Sequence, residues 1–196
     1  MSPFFQTLSA VSLIGPTLSL EPLTLAHASA LFRVCTPEVF RWMIDWPRDA
    51  SFEAFEAYER EVLTWPNTQA FVMLDRATGE TLGTTAYLDI RSAHRALEIG
   101  RTWVAPARQG GRANPESKFL LLRHAFEELG ALRVQLKTDA RNLHSQRAIE
   151  KLGARREGVL RNYQIRADGT PRDTVMYAIT ADDWPEVRAG LLARLG

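Results

Sequence analysis

The sequence is short of the residues that most directly announce a function. It has one cysteine, Cys35, in 196 residues, so an internal disulfide is excluded and so is a cysteine metal cluster. The four histidines, His27, His94, His124 and His144, show no ligand spacing, and no metal site is expected. No run approaches the ~18 apolar residues of a membrane-spanning helix. Lys and Arg are missing before Arg33, so the mildly apolar opening MSPFFQTLSAVSLIG lacks the basic start of an export signal, and a cytoplasmic protein is the expectation. Internal repeats, low-complexity tracts and long linkers are absent. There is no Gly-Lys-Ser/Thr phosphate loop and no dinucleotide pattern of three spaced glycines.

What is present is an ordinary globular composition, 45% apolar and 24% charged, with enough apolar material for a single core. One domain is expected over residues 1–196, with its core at about 17–185 and an N-terminal extension at 1–16. The net charge of +1 hides an asymmetry. Residues 101–166 hold 14 Lys and Arg against 6 Asp and Glu, while the remainder holds 10 against 17. A basic half beside an acidic half points to an anionic ligand for the first and a cationic one for the second, or to two solvated faces.

Periodicity predicts a strand over 17–21, a helix capped by Thr24, and a helix from Ser51 that buries Phe52, Phe55 and Tyr58 with its glutamates largely outward. Strands over 70–75 and 81–90 are joined by RATGE, with Gly79 at positive φ. ALEIGRTWV (96–104) is a further strand. In the helix expected over 115–129, Phe119, Leu122, Phe126 and Leu129 repeat at i, i+3 and i+4 spacing, and Gly130 ends it. A strand over 132–139, a short helix stopped by Gly153, a hairpin turning at ADGT and a helix from Trp184 complete the chain. The order β-α-α-β-β-β-α-β-α-β-β plus a helix is a mixed α/β (α+β) chain with a βαβ unit at its centre.

Between the strand ending at Val104 and the long helix lies APARQGGRANP. A helix start offers unpaired N–H groups and the positive end of its dipole, and glycines let an anion approach the backbone. Arg108 and Arg112 add charge. By itself such a stretch is more often a plain surface turn.

The surroundings make it specific. Arg108-x-x-Gly111-x-Ala113 after LEIGRTWV, followed one βα unit later by TDARNLHSQRAIEKLGARREGVL, resembles the GNAT superfamily of acetyl-CoA-dependent N-acetyltransferases. The second segment is similar to the signature of the group that includes the ribosomal-protein N-terminal (Rim-type) acetyltransferases. The resemblance implies a GNAT fold, in which a mostly antiparallel sheet carries a splayed parallel strand pair and flanking helices. It implies acetyl-CoA as cosubstrate, an amine acceptor that includes protein N-termini or small amines, no metal and, from family habit, a homodimer. The coenzyme would lie on Gln109, Gly110, Gly111, Arg112 and Ala113 with Arg108 beside it, and Asn114 would sit at the helix cap or against the phosphates. Asn142 would hold the pantetheine arm while capping its own helix, and Ser145 would lie near the thioester sulfur. The backbone N–H groups of Trp103 or Val104 would polarise the carbonyl.

For proton transfer Glu98 is the first candidate base. Its alternative is an outward strand position paired with Arg95 or Arg101. Ser145, Tyr163 or Tyr177 would protonate the leaving thiolate, although a buried tyrosine often only hydrogen-bonds. Trp42, Trp46 and Trp65 either line an acceptor pocket or pack a flap, with Asp45, Asp49, Glu53 and Glu56 as an acidic rim. Two other functions compete. One is a coenzyme A-binding module without catalysis; the other is nucleic-acid binding by the basic half, for which no motif occurs.

Overall fold

The computed structural model describes residues 11–166 and 168–196; the first ten residues of the expected N-terminal extension lie outside them. One eight-stranded sheet organises the chain, in the order β1-β2-β3-β4-β5-β6-β8-β7. The strands are β1 (Leu13–Ile14), β2 (Leu18–Pro22), β3 (Gln69–Asp75), β4 (Thr81–Arg91), β5 (Ala96–Val104), β6 (Arg133–Asp139), β7 (Arg155–Ile165) and β8 (Pro171–Thr180). The helices are α1 (Ala28–Val34), α2 (Phe52–Val62), α3 (Ala113–Arg123), α4 (Leu143–Glu150) and α5 (Trp184–Leu195). The predicted element order stands, with β1 added at the sheet edge. The GNAT arrangement of a mostly antiparallel sheet with one parallel pair is present.

Two apolar cores sit on opposite faces. Leu18, Leu20, Phe71, Met73, Tyr87, Leu97 and Ile99 pack under α3 and α5, whereas Ala70, Val72, Ala86 and Trp103 pack against Phe55, Tyr58 and Val62 of α2. The alternation is that of strands covered on both sides. Ser51 caps α2, its hydroxyl accepting from the Ala54 N–H at 3.2 Å. Glu59 departs from the expected outward glutamates: it is 1% exposed and meets Arg101 at 2.8 Å. Burial pushes its carboxyl up, against the pull of Arg101.

The long helix begins two residues earlier than expected. Arg112 is at its N-cap, and Asn114 lies inside the first turn rather than capping it. Pro115 is still in that turn, where its missing N–H leaves no bond unmade. At the far end α3 continues into a π-helical turn, His124–Glu128, before Gly130 at φ 68. Glu116 is fully buried and accepts from the N–H groups of Thr17 (2.8 Å) and Leu18 (3.1 Å), pinning β2 to the start of α3.

Only three residue pairs join β5 to β6, Ala96 to Arg133, Leu97 to Val134 and Glu98 to Gln135. Beyond them the two strands part. On its other edge β5 carries an extra residue against β4, with Arg101 at φ 48, a bulge that bends the strand. Gly83 sits opposite at φ 144, where a Cβ would lie 2.1 Å from the Trp103 carbonyl oxygen. Gly83→Ala is therefore expected to destabilise the fold by about 2–3 kcal/mol, read as a lower urea midpoint at unchanged m-value.

Candidate functional site

The parting of β5 and β6 opens a cleft at their C-terminal ends, the place where open α/β sheets take ligands. Two turns border it. The loop 105–112 follows β5, and the turn before α4 follows β6.

In the first turn Gly110 has φ 76, a conformation costly for a side chain. Among the described residues the N–H groups of Gly110, Gly111, Arg112 and Ala113 meet no acceptor. The Gln109 side chain braces the loop by donating to the Val104 carbonyl at 3.0 Å. Space around Gly111 is open, since an added Cβ would find only the Arg108 carbonyl, at 3.5 Å. The two arginines are engaged by protein groups here. Arg108 reaches Glu80 at 2.6 Å and Arg112 donates to the Leu195 carbonyl.

In the second turn Asn142 caps α4, its Oδ1 accepting from the Ser145 N–H at 3.0 Å. Its NH₂ group is left for another partner. Ser145 is half-buried in the first turn of α4. Of the two candidate carbonyl polarisers, Trp103 has its carbonyl against Gly83 of β4. Strand alternation therefore turns the backbone groups of Val104 to the open side.

Glu98 is 2% exposed at the apex of the cleft. It is paired, but not with Arg95 or Arg101. Lys137 lies 2.9 Å from Oε2, and the Gln135 amide donates to the same oxygen at 3.0 Å. Both partners come from β6, one strand over and on the same face. Arg95 instead donates to the Gly130 carbonyl, and Arg101 is held by Glu59 on α2. The Lys137 ammonium also lies 5.7 Å from the Tyr163 ring centroid. Glu98, Lys137 and Tyr163 thus form one chain of contacts across three strands, with Tyr163 44% exposed. Tyr177 is on the opposite face, fully buried, donating to Glu150 at 3.0 Å. Burial, with the carboxylate beside it, pushes its hydroxyl up to about 12.

At the C-terminal end of β6 a cavity of about 100 Å³ is lined by Trp42, Trp46, Arg41, Arg141, Asp139 and Arg166. Arg141 and Arg41 flank the Trp42 ring at 6.0 and 5.0 Å. Asp139 is 1% exposed and accepts from Arg166 at 2.7 Å. Burial opposes its ionisation, but Arg166, the Arg141 N–H and Arg172 together hold its carboxyl below the usual range. Trp65 packs into the α2 core rather than lining this cavity. Of the expected acidic rim only Asp45 turns inward, 3.4 Å from the Tyr58 hydroxyl. Asp49 accepts from the Ser51 N–H, Glu56 pairs with Arg60, and Glu53 is exposed.

The reading from sequence passed over Lys137 and Lys118. Lys118, on α3, is 5% exposed and donates only to the hydroxyls of Thr85 (3.4 Å) and Thr102. A helical wheel could have found it, because Lys118 shares a face with Leu122, Ala125 and Leu129, all buried. No group of three His, Cys, Asp or Glu among the described residues is arranged to hold a metal ion. No helix there is long and apolar enough to cross a membrane.

Comparison with known proteins agrees with this geometry. The acetyltransferase (GNAT) domain family matches residues 17–155. An uncharacterised N-acetyltransferase of Bacillus subtilis (strain 168), YoaA, is 34% identical over 104 residues, which span 53% of this chain and 58% of that protein. The crystal structure of a proposed acetyltransferase from T. thermophilus superposes with a TM-score of 0.89 at 42% identity, over 94% of this chain and 97% of that one. Mycobacterium smegmatis RimJ, solved in complex with CoA-disulfide, shares the fold at a TM-score of 0.79 and 23% identity, over 99% and 97% of the two chains. The chain belongs to the GNAT acetyltransferase domain family, a family of acetyl-transferring enzymes.

Proposed function

We propose that this protein transfers an acetyl group from acetyl-CoA to a primary amine by direct attack in a ternary complex, with protein α-amino groups and small amines as the acceptor classes. One observation carries the reading. A row of N–H groups without acceptors, from Gly110 to Ala113, stands at a helix start beside the mouth of a diverging parallel strand pair. Such groups fit a diphosphate, which needs donors and positive potential without intervening side chains.

In this reading the coenzyme supplies an activated thioester, and the chain's own groups do the rest. The Val104 N–H and the Asn142 amide orient the arm between the strands. Glu98 takes the proton from the amine, directly or through a water. An α-amino group near pKa 8 is already partly neutral at physiological pH, so a weak base is enough. Tyr163 or Ser145 returns a proton to the departing thiolate. The acceptor enters from the side of Trp42 and Trp46. The Rim-type resemblance of residues 138–160 favours protein N-termini, and the Arg41, Arg141 and Arg166 groups around the cavity would discriminate among them by charge.

The test is calorimetry of the protein with acetyl-CoA and with dephospho-CoA, wild type beside Gly111→Asp. Because space at Gly111 is open and its φ is not positive, the aspartate leaves the fold intact and adds only a repelling charge. Binding in the wild type that weakens at least about tenfold in the variant supports the loop as the diphosphate site. No binding of either ligand to the wild type would overturn the reading.

A further inference from the structure

A buried amine without a counter-ion is an unusual thing to keep, and Lys118 is one. Its side chain is 5% exposed, and it has two threonine hydroxyls for company. Those hydroxyls also bond to each other at 2.8 Å, so they do not need the lysine. The charged groups on the surrounding elements are turned elsewhere. On its own helix Glu116 is bound to Thr17 and Leu18, and Arg112 to Leu195. On β5, Glu98 and Arg101 face the opposite side of the sheet, held by Lys137 and Glu59. On β2, Glu21 alternates with the inward Leu18 and Leu20, and so lies on the far face. On the π turn His124 meets Tyr87 and Glu128, while Glu127 is taken by Arg188 of α5. Burial alone then lowers the ammonium to about 7.

Lys118 follows Ala113 by five residues, about 7–8 Å along the helix axis. Helical side chains lean back toward the N-terminus, which is the end carrying the free N–H groups of Gly110 to Ala113. Its anchor Thr102 lies two residues before the end of β5, from which the loop departs.

We infer that Lys118 is the proton-linked counter-charge of a nucleotide diphosphate seated on the 110–113 loop, and that it holds its proton to higher pH when the diphosphate is bound. The inference rests on the proposed coenzyme site. The two charges attract, and the Lys118 end of the pair is buried, so binding draws a proton from solvent onto the Lys118 Nζ. Affinity therefore falls as pH rises above the value at which free Lys118 loses its proton.

Dephospho-CoA is the probe, because its diphosphate stays ionised across the range and it lacks the titrating 3′-phosphate. It would be titrated at pH 8 into wild type and Lys118→Met, each in two buffers of different ionisation enthalpy. The expected result is uptake of about one proton per ligand by the wild type and none by the variant. Binding to the wild type with no proton uptake overturns the inference and leaves the coenzyme site standing, as does equal uptake by the variant. Absence of wild-type binding removes the site and the inference together. Should Lys118→Met not fold, the wild type decides alone: Kd rises about tenfold from pH 8 to pH 9, and a flat profile overturns the inference.

Discussion

Lys118→Met is expected to stabilise the ligand-free protein at and below neutral pH, although it removes a hydrogen-bonding group. The reason is the cost of charging a buried amine. The unfolded chain holds the Lys118 proton up to about pH 10.4, whereas in the folded protein burial lowers the ammonium to about 7. Below pH 7 both states are protonated and the folded state carries the whole penalty. Between about pH 7 and 10.4 the unfolded state binds more protons, so stability rises with pH, by up to about 1.4 kcal/mol per unit. Above that range the penalty is gone. Methionine fills a similar volume with no charge to bury, and Thr85 and Thr102 keep their mutual bond. The variant should gain about 2–5 kcal/mol at pH 6, shrinking toward zero at pH 10. For a chain of this size that is about 2–4 °C per kcal/mol in Tm. Thermal unfolding of both proteins at pH 6, 8 and 10 checks it. A variant less stable at every pH would mean that the Lys118 hydrogen bonds to Thr85 and Thr102 outweigh the cost of charging the buried amine.

Glu98→Gln should leave coenzyme binding alone and lower kcat by about 10²–10⁴-fold, the usual worth of a positioned base. The amide keeps the shape and can still accept from Lys137 and Gln135, which now hold the carboxylate at 2.9 and 3.0 Å. What it loses is the capacity to accept the amine proton. The measurement is release of CoA thiol with an amine that the wild type acetylates, together with the acetyl-CoA Kd. Unchanged kcat would make Glu98 the ion-pair partner of Lys137 only. The proton would then pass to solvent directly, as an α-amino acceptor permits.

These two lysine-linked sites mark the boundary of what local pattern carries. Ser51 as a cap, Gly79 at positive φ, Gly130 as the stop of the long helix, and ALEIGRTWV as a strand are all visible in the sequence, because each depends on neighbours a few residues away. The turn at 108–112 with the start of α3, and the turn at Asn142 with α4, are legible for the same reason. Of the two readings of Asn114, the cap fails because helix boundaries are set by a residue or two of φ/ψ, and Arg112 takes the position.

The sequence by itself determined the element order, the glycine-bearing turn and the asparagine cap at the two strand ends. Tertiary structure decided where charge is buried. Arg101 finds Glu59 across 42 residues, Glu98 finds Lys137 on the next strand, and Lys118 finds only hydroxyls. Partner choice of that kind depends on the three-pair contact of β5 with β6 and on the bulge at Arg101. A charge's neighbours across a sheet are fixed by register and strand order, which residue spacing along one chain does not encode.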